Sequence, residues 1–173
     1  MSLREKDLPA AEQIALFARL RAVTAPFSAR LTLHGPPELA LAAGADGVHL
    51  SGGGDAAAAR ALLGAEALIG LSAHTLAEAS LADPATLDYI TASPVFLTAS
   101  KPGHGPALGL EGLAGFARAS AVPVIALAGI DAQSVPGCLG AGAKGIALMG
   151  GIMRAEAPRA AVADILGAIR QSA

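Results

Sequence analysis

The chain is poor in the residues that usually announce a function. It has one cysteine, Cys138, so an internal disulfide is excluded and a reducing, cytoplasmic setting is expected. Gly137 and Leu139 flank this cysteine in a helix-like stretch, which reads as a small packed apolar residue rather than a nucleophile. Tryptophan is absent and aromatics make up 3% of the chain, so any core must be built from small aliphatic side chains. Only 15% of residues are charged and the formal net charge is -2, with no basic run, so nucleic-acid binding has no electrostatic support. No apolar run reaches the roughly 18 residues a membrane helix needs, and no membrane partner is expected. Arg4-Glu-Lys-Asp7 interrupts the start, so no signal peptide is expected, and Met1-Ser2-Leu3 is compatible with a vector scar.

What is present is apolar and periodic. Hydrophobic residues make up 53% of 173 residues, enough for a sizeable core in one domain spanning 1–173. Short apolar runs at Leu31-Leu33, Gly47-Leu50, Leu68-Leu71, Leu87-Ala92, Pro123-Ala128 and Gly145-Met149 are predicted strands. Between them lie predicted helices at Pro37-Ala43, Ala56-Leu63, Leu76-Ala82, Leu110-Ala119, Ser134-Gly140 and Pro158-Arg170. The runs are apolar throughout, as strands buried on both faces of a parallel sheet should be. Upstream, Pro9-Val23 reads as an amphipathic helix through Ile14, Phe17, Ala18 and Arg21, and Leu3-Asp7 as the tail of a strand before it. Ala43-Gly-Ala-Asp-Gly-Val is echoed by Ala141-Gly-Ala-Lys-Gly-Ile, each closing a helix on glycine before a strand. About seven strands in repeated β-α units form either a (β/α)8 barrel or an open doubly wound sheet. No Gly-x-Gly-x-x-Gly follows the first strand, which argues against a dinucleotide fold.

The chemistry-bearing stretch is Ser93-Pro-Val-Phe-Leu-Thr-Ala-Ser-Lys-Pro-Gly103, running on to Leu108-Gly-Leu-Glu-Gly112. A strand feeds a loop with Ser93, Thr98, Ser100 and Lys101, and a helix opens near Leu110. Hydroxyls, a cation and glycines past a strand's C-terminal end suit an anionic group such as phosphate.

With Leu3-Arg-Glu-Lys-Asp7, Gly44-Ala-Asp-Gly-Val-His-Leu50, Ile69-Gly-Leu-Ser-Ala-His74, Ser93-Pro-Val-Phe-Leu-Thr98, Ser100-Lys-Pro-Gly103, Leu108-Gly-Leu-Glu-Gly112 and Pro123-Val-Ile-Ala-Leu-Ala-Gly-Ile130 in this order, the chain resembles the thiamine phosphate synthase / TenI family of (β/α)8 barrels. The resemblance implies a TIM-type barrel, here apparently missing its first β-α unit, since only Met1-Ser2 precede the first matching phrase. It implies an enzyme of thiamine biosynthesis that joins an aminopyrimidine diphosphate to a thiazole phosphate and releases diphosphate, with magnesium as cofactor. A TenI-like thiazole tautomerase and a non-catalytic binder of phosphate ligands are the alternatives. Arg4 and Lys6 match the basic pair for diphosphate, and Ser72 and His74 match a Ser-x-His at a strand end. Ser93, Thr98, Ser100 and Lys101 match the loop for thiazole phosphate and diphosphate, with Lys101, Arg4, Lys6 and His74 as the catalytic candidates. Gly129 matches a glycine of the next turn, and Gly150 and Gly151 fall where backbone amides meet phosphate. His49, inside an apolar strand, is expected to be a packed or hydrogen-bonded core residue.

The departures bear on the metal. His34-Gly35-Pro36 stand where the synthases carry Asn-Asp-Arg, leaving His34 and His104 as stand-ins for an acid/base. Ser51-Gly-Gly-Gly-Asp55 replaces Gly-Gln-Glu-Asp. Asp55 could take the second metal position only with a one-residue shift, and otherwise caps the helix starting at Ala56. Magnesium wants carboxylate oxygens in near-ideal geometry, and weak activity is expected. A barrel with an open edge is further expected to associate as a homodimer.

Overall fold

A computed structural model describes residues 1–98 and 106–172. Seven strands alternate with helices, and every strand pairing resolved is parallel. The fold is α/β of the TIM (β/α)8 type. The chain divides into two compact units, one of Met1–Ser72 with Asp83–Asp88, the other of Ala73–Ala82 with Tyr89–Ala173.

In the first unit β1 (Ser2–Leu3), β2 (Thr32–His34), β3 (Gly47–Leu50) and β4 (Leu68–Ala73, its last residue excepted) pair in chain order. Helices α1 (Ala10–Thr24), α2 (Pro37–Ala42) and α3 (Ala56–Leu63) connect them, with a 3-10 turn at Ala25–Phe27. All four residues of β3 are buried, which explains its unbroken apolar pattern. Leu31, Leu33, Val48 and Ile69 have no exposure at all and form this unit's core.

Two expectations near the start are corrected. The first strand ends at Leu3 rather than running to Asp7, because Arg4, Glu5, Lys6 and Asp7 are all exposed and a turn closes from Leu8 N–H to the Glu5 carbonyl at 3.2 Å. Ser2 and Leu3 pair with Thr32 and Leu33, so they are part of the sheet. In α1, Ala18 is exposed; Gln13, Phe17 and Thr24 are the buried positions.

The second unit holds β5 (Tyr89–Ala92), β6 (Val124–Leu127) and β7 (Gly145–Ala147). Its helices are α4 (Leu76–Ser80), α5 (Gly109–Ala119), α6 (Val135–Gly140), α7 (Gly150–Met153) and α8 (Pro158–Gln171). Phe116, Leu113, Ile90, Val95 and Val135 are fully buried here, as is Cys138. The last strand is shorter than the predicted Gly145–Met149, because α7, which sequence reading had left out, starts at Gly150 and Met149 is its N-cap.

One local device recurs at the N-terminal ends of strands. Asp46, just before β3, accepts from Leu31 N–H at 2.6 Å through Oδ2 and pairs with Arg21 of α1 at 2.7 Å. Asp88, just before β5, accepts from Ile69 N–H at 2.7 Å and pairs with Arg60 of α3 at 2.8 Å. In both cases one carboxylate satisfies an N–H at the start of the neighbouring strand and holds a helix to it. Burial pushes the Asp46 carboxyl up, but the Arg21 hydrogen bond and the Leu31 N–H outweigh it and hold it below its ordinary value.

Candidate functional site

In the first unit, polar side chains gather past the C-terminal ends of β1, β2 and β3, where TIM-type enzymes carry their chemistry. Lys6 Nζ donates to Ser51 Oγ at 3.1 Å, and Ser51 Oγ lies 3.4 Å from His34 Nε2. His34 and His49 are register partners on β2 and β3, which brings their rings to 4.9 Å, tilted by 48°. The register partner of His49 on β4 is Gly70. Glycine offers no side chain there, so the imidazole reaches the next residue on that face, and His49 Nε2 lies 3.0 Å from Ser72 Oγ. Burial, helped by the Lys6 charge, lowers the His49 pKa from 6.5 to about 4, so the ring is neutral at pH 7. His49 is thus a hydrogen-bonded core residue as expected, and it also orients Ser72. The cavity beside this chain of contacts has a volume of about 660 Å³ and is lined by Lys6, Gln13, His34, Leu50, Ser51 and Asp55 among others.

Asp55 is the N-cap of α3, its Oδ1 accepting from Ala58 N–H at 2.9 Å. A magnesium ion would need carboxylate oxygens directed at a common point. Here Gly35 supplies none, Asp55 is committed to the helix, and among the described residues no group of three or more His, Cys, Asp or Glu could hold a metal. The residues present do not fit the ion.

In the second unit, His74 follows β4 and Ser93 follows β5. His74 Nδ1 lies 2.9 Å from the Ser93 carbonyl and 3.4 Å from Ser93 Oγ. A carbonyl only accepts, so in the neutral ring Nδ1 carries the hydrogen and Nε2 the lone pair. The backbone of His74 is fixed as well: its N–H donates to Glu78 Oε2 at 2.6 Å, beside the Thr75–Glu78 capping box that starts α4. The His74 and Thr75 backbone donors are the main reason the Glu78 carboxyl sits below its ordinary value, against the opposing effect of burial.

Gly129 has φ +66, and a Cβ there would stand 2.7 Å from the Leu97 carbonyl oxygen, Phe96 Cβ and the Phe96 carbonyl oxygen. Only glycine fits this turn, which follows β6. Gly150 and Gly151 open α7 after β7, where early backbone N–H groups of a helix lack intrahelical acceptors. Thr98 is half-buried at the end of the described part of its loop. Ser100, Lys101 and His104 lie outside the described residues. Arg4 is exposed just past β1. Sequence reasoning missed Ser51, which bridges Lys6 and His34. Its position after β3, at the functional end of a barrel strand, was the available signal.

Parallel strands alternating with helices, with polar side chains past the C-terminal ends of several strands, define the class: a TIM-type α/β fold. Comparison with known proteins narrows this. A sequence model of the family described as thiamine monophosphate synthase matches residues 1–152, and the chain belongs to that family. A Geobacter sulfurreducens protein assigned as a thiamine-phosphate synthase is 44% identical over 160 residues, covering 92% of this chain and 75% of that one. The thiamine-phosphate synthase of Moorella thermoacetica is 35% identical over 173 residues, covering 99% and 79%. Among solved structures, the thiamine phosphate pyrophosphorylase of Pyrococcus furiosus superposes with TM-score 0.86 at 29% identity, covering 99% of this chain and 82% of that one. The chain is therefore thiamine phosphate synthase-like and its place is in thiamine biosynthesis; enzymes of that name are transferases. No helix among the described residues is long and apolar enough to cross a membrane.

Proposed function

We propose that the chain is a slow thiamine phosphate synthase whose leaving-group charge is met by side chains rather than by carboxylate-held magnesium. The reaction joins a thiazole phosphate to an aminopyrimidine diphosphate. The bond from the pyrimidine's exocyclic carbon to the diphosphate oxygen breaks, and diphosphate departs with the electron pair. The thiazole nitrogen then donates its own pair to that carbon. Lys6, held by Ser51, and Arg4 are assigned to the diphosphate, with Ser72 as a hydroxyl donor oriented by His49. In the second unit, the Gly129 turn, the Gly150 and Gly151 amides, Ser93 and Thr98 are assigned to the thiazole phosphate, with Ser100 and Lys101 from the loop outside the described residues.

The observation that carries the reading is Asp55 capping α3 while Gly35 stands at the other carboxylate position. Metal charge is worth several kcal/mol of barrier in such a departure. At 1.36 kcal/mol per tenfold, the chain should run roughly a thousandfold or more below a magnesium-dependent relative. A coupled assay for thiamine phosphate, with and without magnesium, tests it. Slow synthesis with little response to magnesium is the expected result; fast magnesium-dependent turnover would overturn the reading.

One observation favours a second reading. The His74 imidazole, held through Nδ1 by the Ser93 carbonyl, is a side chain of the acid/base type that a metal-free thiazole tautomerase needs. Tautomerisation without thiamine phosphate formation would select it. Saturable binding of thiazole phosphate with neither reaction would identify a non-catalytic binder.

A further inference from the structure

The two Asp-Arg devices have a third counterpart with the charge reversed. Asp46 and Asp88 each precede a strand, donate their own N–H to the carbonyl of a residue at the start of the adjacent strand, Leu31 or Ile69, and accept that same residue's N–H through the carboxylate. Lys144 precedes β7 in the same way, in the sequence echo Ala141-Gly-Ala-Lys-Gly of Ala43-Gly-Ala-Asp-Gly. Its N–H donates to the Val124 carbonyl at 2.8 Å, just as Asp46 N–H donates to Leu31 at 3.0 Å and Asp88 N–H to Ile69 at 2.8 Å. In a strand, a residue's N–H and C=O point to the same side. The Val124 N–H therefore faces the place where the two other copies put a carboxylate oxygen, and here the side chain is a cation. Among the described residues no side-chain oxygen accepts from it.

A cavity of about 280 Å³ lies at this position, lined by Val122, Pro123, Val124, Gly142, Lys144 and Ser120, with two alanines completing its wall. The Ser120 hydroxyl is committed to its own turn, donating to the Val122 carbonyl at 2.9 Å and accepting from Val122 N–H at 3.2 Å. Lys144 is the one charged residue among those lining the cavity. A small space beside the Val124 backbone and the exposed Lys144 lacks one thing the other copies have, a carboxylate.

We propose that this cavity, at the N-terminal end of β6, binds the carboxylate of a small organic acid. One oxygen accepts from Val124 N–H and the charge pairs with Lys144. The site is separate from the proposed substrate positions at the strands' C-terminal ends, so an acid bound here acts on the stability of β6 and β7 rather than in the reaction.

The test is acetate titrated against chloride at constant ionic strength into the ¹⁵N-labelled full chain, following the Val124 amide resonance. A saturable shift is expected. Lys144→Asp supplies the carboxylate internally, as Asp46 does, and should abolish it. Lys144→Ala should weaken it by about two- to fivefold, the scale of an exposed ion pair. An unshifted Val124 amide in the unmodified protein overturns the proposal, and so does acetate affinity unchanged in Lys144→Ala, which does not depend on how Lys144→Asp folds.

Discussion

Lowering the pH should destabilise this protein through one histidine in particular. The native pKa of His49 is about 4 against an ordinary 6.5, because the buried ring resists charge and Lys6 opposes it. Between these values the unfolded chain binds a proton that the native one does not, so stability rises with pH across the window and is lost as pH falls through it. The full gap, at about 1.36 kcal/mol for each pH unit, amounts to about 3 kcal/mol, of which about 2 kcal/mol is already lost at pH 5. His34, Lys6 and Ser72 are the polar groups around the ring. His49→Gln keeps a hydrogen-bonding side chain toward Ser72 but cannot titrate. Urea unfolding of both proteins at pH 7 and pH 5 isolates the effect, because the carboxylates common to both cancel. The advantage of the native protein over the variant should shrink by about 2 kcal/mol on acidification. A difference that stays constant between the two pH values would show that His49 is not held neutral by burial, and the account of this site would fail.

Gly129→Ala should lose at least about 2 kcal/mol in a denaturant titration, since it combines a left-handed backbone with a Cβ 2.7 Å from backbone and side-chain atoms of Phe96 and Leu97; wild-type stability would show that the turn readily rearranges. The two positions where the family resemblance implies metal carboxylates, Gly35 and, next to Asp55, Gly54, are not equally open to an aspartate. A Cβ at Gly35 meets only the end of the Leu33 side chain at 3.2 Å, so Gly35→Asp should fold normally, whereas a Cβ at Gly54 meets Leu50 Cβ at 2.9 Å and the Ser51 carbonyl oxygen at 3.0 Å, so Gly54→Asp should cost about 1–3 kcal/mol. Equal melting temperatures for the two variants would refute that distinction.

The alternation of strands and helices was legible because strands buried on both faces leave continuous apolar runs, as at Gly47–Leu50. The end of β7 was not, because Met149 is apolar whether it continues a strand or caps a helix. The Asp55 cap could be read from its place one residue before Ala56. The pairing of His49 with Ser72 could not, because it depends on register across β3 and β4 and on the room left by Gly70. Asp46 and Asp88 escaped notice for the same reason. Their acceptor role concerns N–H groups 15 and 19 residues earlier, on neighbouring strands.

These two sets of contacts occupy opposite ends of the strands, and their chemistry differs accordingly. At the N-terminal ends, Asp46 and Asp88 are each matched by an arginine and a strand N–H, so each charge is used up in holding a helix to the sheet. At the C-terminal ends, Lys6 donates to the neutral Ser51 hydroxyl, and the histidines have hydroxyls, a carbonyl and each other among their partners. A lysine that hydrogen-bonds a neutral group keeps its net charge for a ligand, whereas an ion pair does not. Ion pairs at one end of the strands, and a lysine with a neutral partner at the other, fit the separation of stability from chemistry between the two faces of a TIM-type fold. Lys144, which holds at β7 the place that Asp46 and Asp88 hold at β3 and β5, adds a positive charge at the end where the other charges are paired.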